Sequence, residues 1–424
     1  MSARNAIALP RLRQRTMIGG ERLERIITAA LRKLHRGRLS VTLPSGNSHT
    51  FSGTQDLIDG EQFHATWQMH SFKAIRRMLQ TQSVGFAESY IAGEWDSPDL
   101  AELLELIACN MDALEAQIDR WTLVRLWNRM QHRVRANTRR GSRRNIAYHY
   151  DLGNDFYRHW LDDSMTYSSG LYDESNEDWR DESLAGLTRA QERKYRRIAD
   201  ELQLEAGQHV LEIGCGWGGF AEFAASNYGC RVTGVTLSQE QLAFARERIS
   251  SAGLDELVEL RFQDYRDVTG QFDHIVSIEM FEAVGEDNWG EYFDKARACL
   301  RPGGKAALQV ITIADERFEN YRDNTDFIQK YIFPGGMLPS PMRLQHKIAE
   351  AGLRLSGEST FGLSYAHTLR IWRKQFLRNW TAIEELGYSA EFRRLWEYYF
   401  AYCEAGFRRK TIDVGHYFIE RPAD

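Results

Sequence analysis

The segment from His209 to Thr236 restricts the fold most. HVLEI (209–213) reads as a buried strand, and Gly214-Cys215-Gly216-Trp217-Gly218-Gly219 reads as a tight turn. Phe220 to Tyr228 follows as a helix, and Arg231 to Thr236 as a second strand. Two short apolar runs joined by a glycine-rich turn and a helical stretch form a β–turn–α–β unit. Such a unit needs a crossover between parallel strands, so it implies an α/β sheet with helices on its faces. The glycines belong where the backbone turns tightly and where a ligand comes too close for a Cβ. Further buried runs at Val258 to Phe262, Phe272 to Ser277 and Lys305 to Ile311 fit the same sheet. The turn LRPGG (300–304) precedes the last of these, and the runs at 353–361 and 412–419 complete the sheet as a hairpin.

The glycine turn also spells GxGxxG, through Gly214, Gly216 and Gly219. A dinucleotide site expects an acid about 20 residues on, at the end of the second strand. Thr236 and Leu237 stand there instead, which argues against a nicotinamide cofactor. Glu212 lies two residues before the first glycine, and Asp264 lies just after the third strand. Acids in those two places suit S-adenosylmethionine (SAM), one meeting the amino group of its methionine part and the other its adenine amine. A phosphate-binding doubly wound domain of another kind is the alternative.

Composition sets the outer bounds. The chain has 424 residues, 43% apolar and 27% charged, ordinary values for a soluble globular protein of one or two domains. No charge-free apolar window is long enough for a transmembrane helix. The start, MSARNAIALPRLRQR, has no apolar core of a secretory signal, so a cytoplasmic location is expected. Five cysteines at 109, 215, 230, 299 and 403 form no CxxC pair, so neither disulfides nor a metal site is expected.

Charge divides the chain. Residues 1–144 carry 22 Lys/Arg against 14 Asp/Glu, whereas residues 145–424 carry 32 against 45. Nine arginines lie between Arg120 and Arg144 with no acid among them. Arg125, Arg129, Arg133 and Arg140 lie near helical spacing beside Trp121, Leu126, Trp127 and Met130. Three readings fit: an interfacial helix on anionic lipid, a solvated helix joining two domains, or a nucleic-acid patch. Upstream, Leu23 to Leu34 has helical periodicity and Gly37 ends it. Leu39, Val41 and Leu43, then Pro-Ser-Gly-Asn, then Thr50 and Phe51 form a hairpin pattern. Helices are expected at Phe72 to Leu79 and Leu100 to Ala116. The expected division is a small α+β domain over 1–120, a basic linker helix over 121–144 and a catalytic domain over 145–424.

Seven pieces now stand in order: YHYDLGNDFY (148–157), MTYSSGLY (165–172), VLEIGCGWGG (210–219), GVTLSQEQ (234–241), FEAVG (281–285), YIFPGGMLPS (331–340) and AGFRRK (405–410). Together they resemble the cyclopropane-fatty-acid synthase family, which includes the mycolic acid cyclopropane synthases. GFAESYIAGEWD (85–96) resembles the extra N-terminal domain of members that act on phospholipids. The resemblance implies a Rossmann-like SAM methyltransferase domain with a mixed seven-stranded sheet, preceded by a smaller α+β domain. It implies transfer of one carbon from SAM to a cis double bond in a phospholipid acyl chain. The expected partner is therefore unsaturated lipid at an anionic membrane surface, with the protein peripherally attached. Nucleic acid is not an expected partner, and a homodimer is left open.

By the same resemblance, Tyr167, Ser168, Gly214, Gly216, Thr236, Leu237, Gln241, Asp264 and Tyr265 contact SAM, joining Glu212. The family's base is a bound bicarbonate, held by a Cys, a Glu, a His, an Ile backbone and a Tyr. Here Glu282, Ile311 and Tyr365 match, while Ser169 stands for the Cys and Gln309 for the His. Ala283 replaces the His that usually follows the Glu. Ser and Gln still donate hydrogen bonds to an anion, but Gln does not relay a proton as His does. Two outcomes therefore stay open: ring closure, or a hydride shift that yields a methyl or methylene branch. A degenerate, lipid-binding domain is a third reading. Cys403 and His149 match family positions, but packing or loop-orienting roles explain them. Phe281, Trp289, Phe333 and Trp372 suit either an acyl tunnel or the core.

Overall fold

The computed structural model describes residues 19–55, 57–58, 61–111, 152–173, 175 and 177–423. The basic segment 121–144 and His149 lie outside the described residues. Contacts divide the chain into two compact units, and the division does not follow chain order. One holds 1–132, 324–327 and 377–409, and the other holds 133–323, 328–376 and 410–424. The expectation of one continuous stretch from 145 to 424 thus meets a helix, Ala390–Arg408, that groups with the first unit.

In the first unit the strands are β1 (Arg38–Thr42), β2 (Ser48–Ser52), β3 (Leu57–Ile58), β4 (Glu61–Gln62), β5 (His64–Met69) and β6 (Trp95–Asp96). Four of them form a sheet in the order β2-β1-β5-β6. The expected hairpin is present: β1 and β2 pair antiparallel, and the Gly46 amide closes the turn on the Leu43 carbonyl. The helix expected to end at Leu79 runs over Phe72–Ile91, because buried positions continue through Val84, Ala87 and Ile91. Trp67 and Trp95 pack edge to face at 5.9 Å, and Tyr90 meets Tyr398 at 5.7 Å. The Arg394 guanidinium lies 3.9 Å from the Tyr90 ring centroid and donates to the Trp95 carbonyl. That cation–π contact and hydrogen bond tie the late helix Ala390–Arg408 to this core.

The second unit carries β7 (His209–Ile213), β8 (Arg231–Thr236), β9 (Val258–Phe262), β10 (Phe272–Ile278), β11 (Leu300–Ile313), β12 (Arg354–Thr360) and β13 (Ile412–Glu420). They form one mixed seven-stranded sheet in the order β12-β13-β11-β10-β7-β8-β9. β7 to β11 run parallel to one another, and β13 runs antiparallel between β11 and β12. The LRPGG turn lies at the start of β11, where Gly303 has φ +77°. The register jumps there, from Phe272 opposite Leu300 to His274 opposite Lys305.

Alternation along the strands feeds two apolar layers. Val210 and Val276 join Ile198, Phe220, Ala245 and Ile249 on one face. Leu211 and Ile275 join Phe281, Tyr292, Phe293 and Ile348 on the other. The strand order reverses between β7 and β10, because β8 and β9 extend one way and β10 and β11 the other. In open α/β sheets the crevice outside the carboxyl ends at such a switch point is the ligand site. Among the described residues no helix is long and apolar enough to cross a membrane.

Candidate active site

The glycine turn leaves the carboxyl end of β7. Gly214 has φ +86° and Gly216 has φ +51°, both in the left-handed region that favours glycine. A Cβ on Gly214 would come within 2.7 Å of Met280 Cγ. A Cβ on Gly216 would meet no atom within 4 Å and would protrude into open space. Trp217 of the turn donates from its indole to Asn154 Oδ1 at 2.7 Å, so the NDFY segment is anchored on the loop. Glu212 is buried, and its Oε2 has no hydrogen-bonding partner among the described residues. Burial pushes its carboxyl up to about 8, against a hydrogen bond from the Ala221 amide. An orphaned buried carboxyl oxygen beside an open glycine backbone fits the ammonium group and close approach of SAM.

The next strands supply the other expected contacts. Thr236, at the end of β8, donates to Gln241 Oε1 at 3.1 Å and accepts from the Ser238 amide. Leu237 is half-buried beside it. Asp264 follows β9, and Arg266 engages both its oxygens at 2.9 and 2.7 Å. A ligand amine there has to share oxygens already paired with the arginine, as a buried carboxylate must be. The ring of Tyr265 packs edge to face on Tyr292 at 5.3 Å. Tyr167 is half-buried against Trp160 and Trp372, each at 5.3 Å, and Tyr365 meets Trp372 at 6.0 Å.

The residues expected to hold an anion do come together, around a carboxylate that the sequence reading passed over. Glu279 lies one residue past β10 with φ +49°. Its Oε1 accepts from the Ser169 amide at 2.9 Å and from Gln309 Nε2 at 2.7 Å. Its Oε2 accepts from the Tyr365 hydroxyl at 2.6 Å. The Ser169 hydroxyl is spent on the Gly170 carbonyl, so only its backbone faces Glu279. His416, directly opposite Gln309 in the β11–β13 ladder, donates from Nε2 to Gln309 Oε1 at 2.9 Å. Burial pushes His416 down to about 3, so it is neutral at physiological pH.

Glu282 lies on the turn Phe281–Ala283 that follows. Its Oε1 accepts from the Ile311 amide at 2.6 Å, and its Oε2 is buried without a partner among the described residues. Burial, and then the nearby Glu279 charge, push its carboxyl up to about 8. Glu279 is also raised by burial, but Tyr365, Ser169, Lys194 and Gln309 all oppose that. Lys194 is fully buried and donates to Ser168 Oγ at 2.7 Å and Gln191 Oε1 at 2.5 Å. Burial lowers it to about 7, against the Glu279 and Asp162 charges.

Sequence reasoning therefore missed Glu279, Lys194 and His416. Glu279 had one signal: an acid at the carboxyl end of a central strand, three residues before Glu282. Lys194 on the helix Leu184–Leu202 and His416 on β13 had none. Cys403 belongs to the first unit, and burial raises its thiol, which keeps it protonated.

The family described as mycolic acid cyclopropane synthetase matches residues 137–417. The tuberculostearic acid methyltransferase UfaA1 of Mycobacterium tuberculosis is 40% identical over 348 residues, covering 80% of this chain and 79% of that protein. The cyclopropane-fatty-acyl-phospholipid synthase of Escherichia coli is 36% identical over 351 residues, covering 80% and 83%. The solved cyclopropane synthase MmaA2 of Mycobacterium tuberculosis superposes with a TM-score of 0.60 at 27% identity, over 66% of this chain and 98% of that one.

Proposed function

Because the chain belongs to the mycolic acid cyclopropane synthetase family, and so is a SAM-dependent methyltransferase, we propose that it transfers one carbon to the cis double bond of unsaturated phospholipid acyl chains. One observation carries this reading. The open glycine loop, the aromatic cluster Trp160, Tyr167, Trp372 and Tyr365, and two half-buried glutamates, Glu279 and Glu282, belong to the same unit.

The chemistry asks for these parts. SAM supplies an electrophilic methyl group, and an alkene is a weak nucleophile. Attack leaves a carbocation on the acyl chain, which water would quench, so the site must be dry. Aromatic faces stabilise positive charge, and so does a carboxylate in a low-dielectric site. Glu212 and the backbone of Gly214 and Gly216 would hold the cofactor. Loss of a proton from the transferred carbon closes a cyclopropane ring, which is the first reading of the product. A methyl or methylene branch, formed after a hydride shift, is the second reading, left open by Gln309, which stands in the place expected for a His.

The N-terminal unit and the basic segment 121–144 are read as the part that meets an anionic membrane surface, with the protein attached peripherally. The deciding experiment expresses the protein in a host lacking its own enzyme of this kind and follows methyl-labelled SAM into lipid. Mass spectrometry and NMR of the extracted acyl chains then identify a ring or a branch. Absence of label from every lipid class would overturn the proposal.

A further inference from the structure

We propose that Glu279 is a built-in carboxylate base that takes the place of the bound bicarbonate expected from the family resemblance. The inference rests on the proposed one-carbon transfer and names the group that completes it.

The expected anion holders are already engaged. The Ser169 amide, the Gln309 side chain and the Tyr365 hydroxyl all donate to Glu279, at 2.9, 2.7 and 2.6 Å. The Ile311 amide donates to Glu282 at 2.6 Å. The fifth expected holder, Glu282, is itself an acid. An anion from solution would find its donors taken by carboxyl groups and would meet like charge. Bicarbonate therefore does not fit these residues.

The backbone points to the same group. Glu279 has φ +49°, a conformation uncommon for any residue but glycine. Such strain persists only where the surroundings over-determine it, and it clusters at active sites. Here the Glu279 amide donates to the Gln309 carbonyl at 2.8 Å, while its side chain takes the three donors. The three donors favour the ionised carboxylate and oppose the burial that raises its pKa. Lys194, which donates to Ser168 Oγ at 2.7 Å, works in the same direction when charged. A carboxylate has about four lone-pair positions. Among the described residues Oε1 accepts two hydrogen bonds and Oε2 one, which leaves a lone pair on Oε2 for a proton.

The step balances without any other reagent. The alkene electron pair forms a bond to the transferred carbon as the carbon–sulfur bond breaks, and sulfur keeps that pair. A C–H bond of the new carbon then breaks. Its electron pair closes the ring, or, after a hydride shift, forms a methylene double bond. The proton goes to Glu279 Oε2 in either case.

The test compares the wild type with Glu279→Gln and Glu279→Gly, using labelled SAM and unsaturated phosphatidylglycerol vesicles, with and without millimolar bicarbonate. The wild type is expected to work equally well in carbonate-free buffer. Glu279→Gln should lose about 10²–10⁴-fold in rate, the usual value of a placed base, keep its SAM affinity and gain nothing from bicarbonate. Glu279→Gly suits the φ of +49° and opens the donors, so bicarbonate should restore part of its rate. Titration with ¹³C-bicarbonate, followed by NMR, should show binding to Glu279→Gly alone. Bicarbonate binding to the wild type, a wild type that needs bicarbonate, or a fully active Glu279→Gln would overturn the proposal. If the wild type labels no lipid, the one-carbon transfer itself fails, and the bicarbonate titration still judges Glu279.

Discussion

Gln309 donates from Nε2 to Oε1 of Glu279 across 2.7 Å, although the two residues lie 30 positions apart. The amide's orientation follows from its other neighbour, because His416 Nε2 at 2.9 Å supplies a proton to Gln309 Oε1. The chain His416–Gln309–Glu279 thus points every donor toward one carboxylate. Hydrogen bonds to a charged group are typically worth about 1.5–3 kcal/mol. Gln309→Leu should therefore slow transfer roughly 10- to 100-fold, measured as kcat with labelled SAM. An unchanged kcat would show that Glu279 does not depend on this bond.

Ser169 contributes its backbone amide to Glu279, while its hydroxyl serves the Gly170 carbonyl. Ser169→Ala keeps the first bond and removes the second. The expected result is activity within a few-fold of the wild type and a stability loss of about 1 kcal/mol. A large fall in kcat would mean that the hydroxyl itself takes part.

Tyr365 donates to Glu279 Oε2 at 2.6 Å and so favours the ionised carboxylate. Tyr365→Phe removes that donor and raises the Glu279 pKa. The groups facing Glu279 that remain are Lys194, the Ser169 amide, Gln309 and Glu282. Because the base works unprotonated, the acid limb of the pH–rate profile should move to higher pH. A profile of unchanged shape would remove Tyr365 from the tuning of this carboxylate.

Glu212 and Glu282 are each pushed up to about 8 from an ordinary value of 4.5. Between those values the unfolded chain has lost the proton and the folded chain retains it. The folded state then binds more protons, so stability falls as pH rises from about 5 to 8 and levels off above. Glu212→Gln and Glu282→Gln lack that titration. Thermal melts should show each variant gaining on the wild type as pH rises through that window. A constant gap would place both pKa values near normal.

Gly216 has φ +51° and open space where a Cβ would stand. Gly216→Val fills the proposed SAM approach and strains the backbone by about 1–3 kcal/mol. Calorimetry should show SAM binding lost while far-UV circular dichroism stays native. Undiminished affinity would sink the cofactor assignment of this loop.

The arginines between 120 and 144 should bind anionic vesicles more weakly as salt rises, since exposed charges are screened within about 8–10 Å at physiological ionic strength. Replacing Arg125, Arg129 and Arg133 by Gln should weaken binding further. Equal sedimentation with neutral and anionic vesicles would remove the electrostatic part of that attachment.

The glycine turn, the strands around it and Glu212 were legible in the sequence because their signals are local. A buried strand, a left-handed turn and a helix follow one another within 28 residues, and short-range sterics write them into residue type. Ser169, Gln309, Ile311, Tyr365 and Glu282 were legible only as matches to family motifs. Their common target was not. Glu279 meets partners 110, 30 and 86 positions away, brought together by the loop before the sheet, by β11 and by the helix Gly362–Arg378. No periodicity links such positions. Which carboxylate takes the donors is set by the pairing of β10 with β11, by the left-handed turn at residue 279 and by desolvation. Those are properties of the packed sheet. The same holds for the helix Ala390–Arg408, whose Arg394 finds Tyr90 some 300 residues earlier through a contact that no spacing in the chain foretells.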